Sequence, residues 1–191
     1  DPEIGAAALA RIVPGPDFPG GGQIISPADD IREIYETGRG SIKMRGRHTI
    51  EELARGQWQL VVTELPQGVS AQKVLEEIEE LTNPKVRAGK KSLTPEQLQL
   101  KSSVLAVLDA VRDESGKEAP VRLVFEPKTS KIDSDELLRV LRAHTSLETG
   151  VPVNLVTIGR DGRPRQKNLA TILSEWCEFR LETAMRRSRH R

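Results

Sequence analysis

The sequence predicts an α+β fold, a mostly antiparallel sheet with helices packed on one face. Three observations carry that prediction. Period-2 runs and helically spaced apolar residues are intermingled along the chain without the regular alternation of βαβ units. Leu, Ile, Val and Phe supply roughly a quarter of the 191 residues, above the ~20 % typical of disordered chains. Aromatics are only 3 %, so the core must be aliphatic.

The first element is a short helix opened by Asp1-Pro2-Glu3, with proline at its first position, and it must stop before Pro14. Pro14 to Gly22 (PGPDFPGGG) is an irregular joint leading into a short strand, Gln23-Ile24-Ile25. Ser26 is placed to cap a helix whose Ile31, Ile34 and Tyr35 share a face and whose C′ position is Gly38. Thr49-Ile50-Glu51-Glu52 has the form of a capping box. Ile42, Met44, His48 and Ile50 nevertheless alternate with Lys43, Arg45 and Arg47, so residues 41–65 are read as a long hairpin turning at Ala54-Arg55-Gly56-Gln57. Ser70 caps a helix with Val74, Leu75, Ile78 and Leu81 on its stripe, ended by Asn83-Pro84. A basic loop follows, with Lys85, Arg87, Lys90 and Lys91. Thr94-Pro95-Glu96-Gln97 starts a helix through Leu98, Lys101, Leu105 and Leu108 that fades at Ser115-Gly116. Val121 to Glu126 reads as a strand, Asp133 to Leu141 as a helix, and Val153 to Ile158 as a strand closed by the Asp161-Gly162 turn. Asn168 opens the last helix, whose Leu169, Ile172, Leu173, Trp176 and Phe179 are expected to pack on the domain body.

Several function classes fall away at once. No apolar run approaches the ~18 residues of a membrane span. The one cysteine, Cys177, excludes an internal disulfide framework and suits a reducing, cytoplasmic compartment. Three histidines leave little material for a zinc site. Asp133 and Asp135 are explained as a cap and a dipole-favoured acid, so no metal ligands are assigned. Cys177 and Tyr35 sit in apolar helical stripes and read as packing residues. His48, His144 and His190 are scattered, and no nucleophile–base grouping can be assembled. No catalytic residue is expected. Gly20-Gly21-Gly22 lacks the strand-before, helix-after context of a dinucleotide loop. Gly38-Arg39-Gly40-Ser41 presents an arginine beside amides, the makings of an anion site, although Gly38 is better read as a plain helix C-cap.

Charge is more informative. The formal net charge is +1, yet it is segregated. Residues 1–38 carry seven acids and two bases, 39–47 four bases and no acid, and 160–191 nine bases and four acids. Such segregation points to a face for a polyanion. On one strand, Lys43, Arg45 and Arg47 would project from the same side about 6.8 Å apart, matching every second phosphate of a duplex strand that advances about 3.4 Å per step. Arg39 extends this ladder, and Arg163 and Arg165 flank it. All six are expected DNA contacts to the backbone rather than to bases. Arg45 and Arg47 are expected to face solvent, so that reversing their charge should cost binding and leave stability nearly unchanged.

Longer strings resemble a known family. GPDFPGGG (15–22), YETGRGS (35–41), VTELPQGVSAQKVLEEI (62–78), RDESG (112–116) and IGRDGRPRQKNLATILSEW (158–176) resemble the A subunit of the bacterial type IIA DNA topoisomerases. The RDGRP turn and the ILSEW-x-x-FR stretch resemble the topoisomerase IV branch more than the gyrase branch. The resemblance implies a tower domain over 14–167, preceded by the end of a linking helix (1–13) from a winged-helix domain. Residues 168–191 are implied to begin a long coiled-coil helix. The absent initiator Met and the uncapped C-terminal pattern likewise read as a piece of a larger chain.

The resemblance further implies an intact, cytoplasmic, nucleoid-associated A2B2 enzyme that relaxes and decatenates double-stranded DNA with ATP and serves chromosome segregation. Its Mg2+ and ATP chemistry would be supplied through the B subunit of topoisomerase IV. Its nucleophilic tyrosine would lie upstream of this region. The stretch 84–118 is an insertion, shorter in some members of the family, with no role the resemblance assigns. The alternatives are a tower from the A subunit of gyrase, or a scaffold whose basic face meets an acidic protein partner.

Overall fold

A computed structural model describes residues 4–86 and 92–190. Among them are six α-helices and nine strands. In order they are α1 (Ala6–Ile12), β1 (Gln23–Ile24), α2 (Ala28–Thr37), β2 (Arg39–Arg45), β3 (Arg47–Glu52), β4 (Trp58–Glu64), α3 (Ala71–Thr82), α4 (Pro95–Val107), β5 (Leu108–Asp113), β6 (Leu123–Pro127), α5 (Ser134–His144), β7 (Glu148–Asn154), β8 (Val156–Ile158), β9 (Pro164–Gln166) and α6 (Leu169–Arg189). The fold is α+β, with its strands shared among three sheets ordered β1-β2-β7, β3-β4-β6-β5 and β8-β9. The pairs within the second and third sheets are all antiparallel. No helix among the described residues is long and apolar enough to cross a membrane.

The chain forms two compact units. Unit 1 comprises Asp1–Asp17, Ile24–Lys43 and Gly150–Arg191, and unit 2 comprises Phe18–Gln23 and Met44–Thr149.

Unit 2 is built on β4 and β6. Leu60, Val62, Leu123 and Phe125 leave one face of the sheet and meet Val74 and Ile78 of α3, Val104 and Val107 of α4, and Leu137, Leu138 and Leu141 of α5. Local chemistry fixes two of these helices. The Ser70 hydroxyl accepts from the Lys73 amide at 3.2 Å. Thr94 and Gln97 close a full capping box, in which the Gln97 amide donates to Thr94 Oγ1 and the Thr94 amide to Gln97 Oε1. After α5, Glu77 of α3 accepts from both the amide and the hydroxyl of Ser146, tying the turn into β7 to the helical layer.

In unit 1, Ile31, Ile34 and Tyr35 are buried on α2, with α1 and α6 as its neighbours. Gly38 ends α2 in the left-handed conformation, φ +76°. A Cβ there would lie 2.2 Å from the Lys167 carbonyl oxygen, so only glycine permits the approach. The Gln166 side chain also donates to the Thr37 carbonyl at 2.9 Å, satisfying an exposed helix-end acceptor.

The structure corrects several expectations. Ser26 does not cap α2; its hydroxyl accepts from the Lys43 amide at 2.8 Å instead, and Pro27 stands at the cap. Helix α4 ends at Val107, and Leu108–Asp113 is strand β5. The buried residues of α4 are Val104 and Val107, while Leu98 and Leu105 are exposed; apolar side chains surround this helix and hide its true stripe. The stretch 84–118 therefore supplies core helix and edge strand to unit 2 rather than an appendage. The strand expected at Val153–Ile158 is two strands, β7 starting at Glu148 and β8 at Val156. Helix α6 has no fully buried residue; Leu169 and Ile172 are half-buried, while Leu173, Trp176 (58 %) and Phe179 (52 %) are exposed, so only the start of its stripe packs as expected. Cys177 is exposed, not a packing residue. Asp1 to Glu3 and the stretch 87–91, with Arg87, Lys90 and Lys91 of the basic loop, lie outside the described residues.

The close approach at Gly38 is separable from the cost of left-handed backbone. Gly68 has φ +79°, and nothing lies within 4 Å of where a Cβ would stand. Gly68→Ala should cost about 1 kcal/mol for the backbone alone. Gly38→Ala should cost about 3 kcal/mol or more, because a methyl must also displace the Lys167 backbone. Urea unfolding of the two variants checks this; equal costs would refute the packing role of Gly38.

Candidate nucleic-acid interface

The six expected contacts do not lie on one strand. Arg39 and Lys43 lie on β2 in unit 1, and Arg163 and Arg165 lie in the β8–β9 hairpin of the same unit. Arg45 and Arg47 belong to unit 2. Arg47 is not on the strand of Lys43 and Arg45 but opens β3, which belongs to another sheet. The chain changes sheet at buried Gly46, whose amide donates to the Leu147 carbonyl at 2.8 Å and where a Cβ would lie 2.8 Å from the Glu64 carbonyl oxygen.

Counter-ions divide the six further. Arg45 donates from Nε (3.1 Å) and Nη2 (2.8 Å) to Glu148 Oε2, and both side chains are half-buried. The expectation that Arg45 faces solvent and tolerates charge reversal is therefore wrong: Arg45→Glu would set two carboxylates together. Arg47 Nε donates to Glu64 Oε2 at 3.2 Å, and Arg165 pairs with Asp161 at 2.9 Å. Arg39, Lys43 and Arg163 are exposed and have no carboxylate partner among the described residues.

The glycine-rich segments are already occupied by internal partners. The Gly22 amide donates to Glu64 Oε2 at 2.7 Å, and this bond, with help from Arg47, holds the Glu64 carboxyl below its ordinary value. The Gly38 amide donates to the Ile34 carbonyl, and the Arg39 amide to Thr37 Oγ1 at 3.4 Å. The anion reading of Gly38-Arg39-Gly40-Ser41 keeps its guanidinium and loses these two amides.

Sequence reasoning missed the densest charge network, on the face of the β3-β4-β6-β5 sheet opposite the helices. Arg122 makes paired 2.8 Å bonds to both oxygens of Glu51 and a 3.0 Å bond to Glu114. Arg112 pairs with Glu114 and Glu126, and buried Gln59 donates to Glu51 at 2.7 Å. The hydrogen bonds from Arg122 and Gln59 pull the Glu51 carboxyl down to about 2. These partners are up to 71 residues apart, and no spacing in the sequence advertises them.

No group of three His, Cys, Asp or Glu side chains among the described residues is arranged to hold a metal ion. Tyr35, the one tyrosine, is 6 % exposed, its hydroxyl has no partner among the described residues, and burial raises its pKa.

Comparison with known proteins adds a direct result. The family model describing the A subunit of DNA gyrase/topoisomerase IV matches residues 2–191. The chain is 56 % identical over 190 residues to the A subunit of DNA topoisomerase 4 from Neisseria gonorrhoeae, covering 100 % of this chain and 25 % of that protein. It is 40 % identical over 186 residues to the protein of the same name from Pseudomonas aeruginosa, covering 97 % of this chain and 22 % of the relative. The corresponding protein of Escherichia coli (strain K12) is 40 % identical over 183 residues, covering 96 % and 21 %. The chain thus spans about a quarter of the length of the relatives it matches.

The Glu51–Arg122 pair sets an acid-side expectation. A carboxyl held near 2 in the folded state, against an ordinary 4.5, stabilises the fold fully above the ordinary value. That contribution is lost as pH falls from about 4.5 towards 2. The pair is solvent-screened, so the loss should be small. In an NMR titration Glu51 should have its midpoint near 2 in the wild type and rise towards the ordinary carboxylate range in Arg122→Gln, with Gln59 still holding it somewhat below. An unchanged midpoint in that variant would dismiss the pair as its cause.

Proposed function

The chain belongs to the family formed by the A subunit of DNA gyrase and topoisomerase IV, and we propose on that premise that it is the DNA-supporting tower region of the topoisomerase IV member. In this reading residues 14–167 form the tower, 1–13 end the linking helix from a winged-helix domain, and 168–191 begin the coiled-coil helix. The intact enzyme then passes one DNA duplex through a transient double-strand break in another, driven by ATP, and so relaxes and decatenates chromosomes in the bacterial cytoplasm. The B subunit of topoisomerase IV joins a second copy of the full-length protein to complete that assembly. Mg2+ and ATP act through the B subunit, with no residue of this chain assigned to them. The attacking tyrosine lies elsewhere in the full-length protein. The burial of Tyr35 supports that reading.

One observation carries the DNA-supporting role: Arg39, Lys43 and Arg163 are exposed cations of one unit that no carboxylate among the described residues neutralises. Cations of this kind bind phosphates by releasing condensed counter-ions, which positions a duplex without reading its sequence. Arg45, Arg47 and Arg165 take part less, because each is already paired.

Titration of duplex DNA against the chain at several salt concentrations tests the role. Removing three phosphate contacts with the triple variant Arg39→Gln, Lys43→Gln, Arg163→Gln should flatten the log–log salt slope by about 2.7. Arg165→Gln should leave the slope nearly unchanged. No tyrosyl–DNA adduct should form with Mg2+ and ATP present. A triple variant that binds like wild type would reject the assignment of these residues, and an adduct on Tyr35 would reject the whole reading.

A further inference from the structure

A second cationic feature lies in unit 2, on α5. Asp135, Arg139 and Arg142 recur at helical spacing and line a pocket closed by Arg45 and Glu148. Three guanidiniums therefore face two carboxylates. The Arg45–Glu148 bonds neutralise one pair within the wall. Arg139 and Arg142 have no carboxylate within ion-pair distance among the described residues. Arg142 is half-buried, and its Nη2 lies 3.5 Å from His48 Nδ1, its one side-chain hydrogen-bond partner among the described residues.

A partly desolvated guanidinium without a counter-ion is costly, and folding normally supplies one. Here the hydrogen-bond partner is an imidazole, while Glu148 and Asp135 act on the guanidinium only from beyond ion-pair distance. Burial, Arg142 and Arg45 all push the His48 pKa down, and Asp135 opposes them only weakly. His48 thus stays neutral near pH 7, and its Nδ1 lone pair can accept from Arg142, which holds that guanidinium towards the pocket. The arrangement has oriented donors, a surplus of guanidiniums over carboxylates and an open mouth.

We propose that this pocket binds one phosphate group through Arg142 and Arg139, with Arg45 beside them and His48 as the positioning residue for Arg142. A phosphate oxygen pair matches the fork of a guanidinium, and the surplus of cations matches its charge. The phosphate is either a phosphodiester of a duplex or a free phosphate ion. The inference does not rest on the DNA-supporting reading, which concerns residues of unit 1.

His48 is the built-in reporter. A bound phosphate offsets the Arg142 charge, so the His48 midpoint must move upward. The test follows the His48 ring by NMR through a pH titration of the whole chain, with inorganic phosphate, with a short DNA duplex, and with sodium chloride at matched ionic strength. Phosphate or duplex should raise the midpoint and chloride should not. A response to inorganic phosphate marks a free-ion site, and a response to the duplex alone marks a phosphodiester site. Arg139→Gln, on an exposed position, should weaken the response with the fold intact, and Arg142→Gln should abolish it. No upward movement beyond that of chloride, or a response that survives in Arg139→Gln at full strength, overturns the proposal. Either result leaves the salt slopes of the unit 1 variants untouched, so the two readings fail separately.

Discussion

The structure of unit 2 depends on how it covers the outer face of its sheet. Val61 and Val124 stand opposite each other on β4 and β6 and are fully buried, yet they point away from the helices that cover Leu60, Val62, Leu123 and Phe125. Thr49, Val61, Val124 and Arg112 form one cross-strand row. Arg122 lies two residues to one side of that row and Glu51 two residues to the other, so their ion pair bridges it. Long side chains cover apolar surface with their methylene stems while their heads stay wet. Each exposed pair is worth little alone, but the lattice shields valines whose exposure would cost about 1.5–3 kcal/mol each.

Internal carboxylates of this kind also decide which cations remain for a partner. Arg112 and Arg122 are spent on Glu51, Glu114 and Glu126. Arg45, Arg47 and Arg165 are spent on Glu148, Glu64 and Asp161. A count of basic residues along the sequence treats all of these as equal. The structure ranks them, because a guanidinium already neutralised releases few counter-ions when a phosphate approaches. Of the six basic residues expected at DNA, Arg39, Lys43 and Arg163 remain without a carboxylate partner among the described residues, as do Arg139 and Arg142 in unit 2.

What was legible in the sequence was local. Ser70, Thr94 with Gln97, and Asn168 cap α3, α4 and α6 with the bonds that their spacing anticipates, because a cap needs only residues three apart. Gly38 was legible as a C-cap for the same reason. Ser26 was not, because its hydroxyl is claimed by Lys43 across a strand pair. Strand β5 was hidden because Leu108 continues an apolar helical spacing, and only pairing with β6 makes it a strand. Gly150 and Pro152 concealed the first half of β7, as such residues weaken a strand signal. The basic ladder failed at Gly46, whose role is a tertiary approach. The partner of Arg45 is 103 residues away, beyond any pattern in the chain.

The central claim is that internal carboxylates, not sequence position, determine which arginines meet a duplex. The most direct measurement is NMR observation of the arginine Nε–Hε resonances while a DNA duplex is added at low salt. Resonances of Arg39 and Arg163 should move or broaden first, while those of Arg112 and Arg122 stay where they are in the free chain. A duplex that perturbs Arg112 and Arg122 as early as Arg39 and Arg163 would contradict the account.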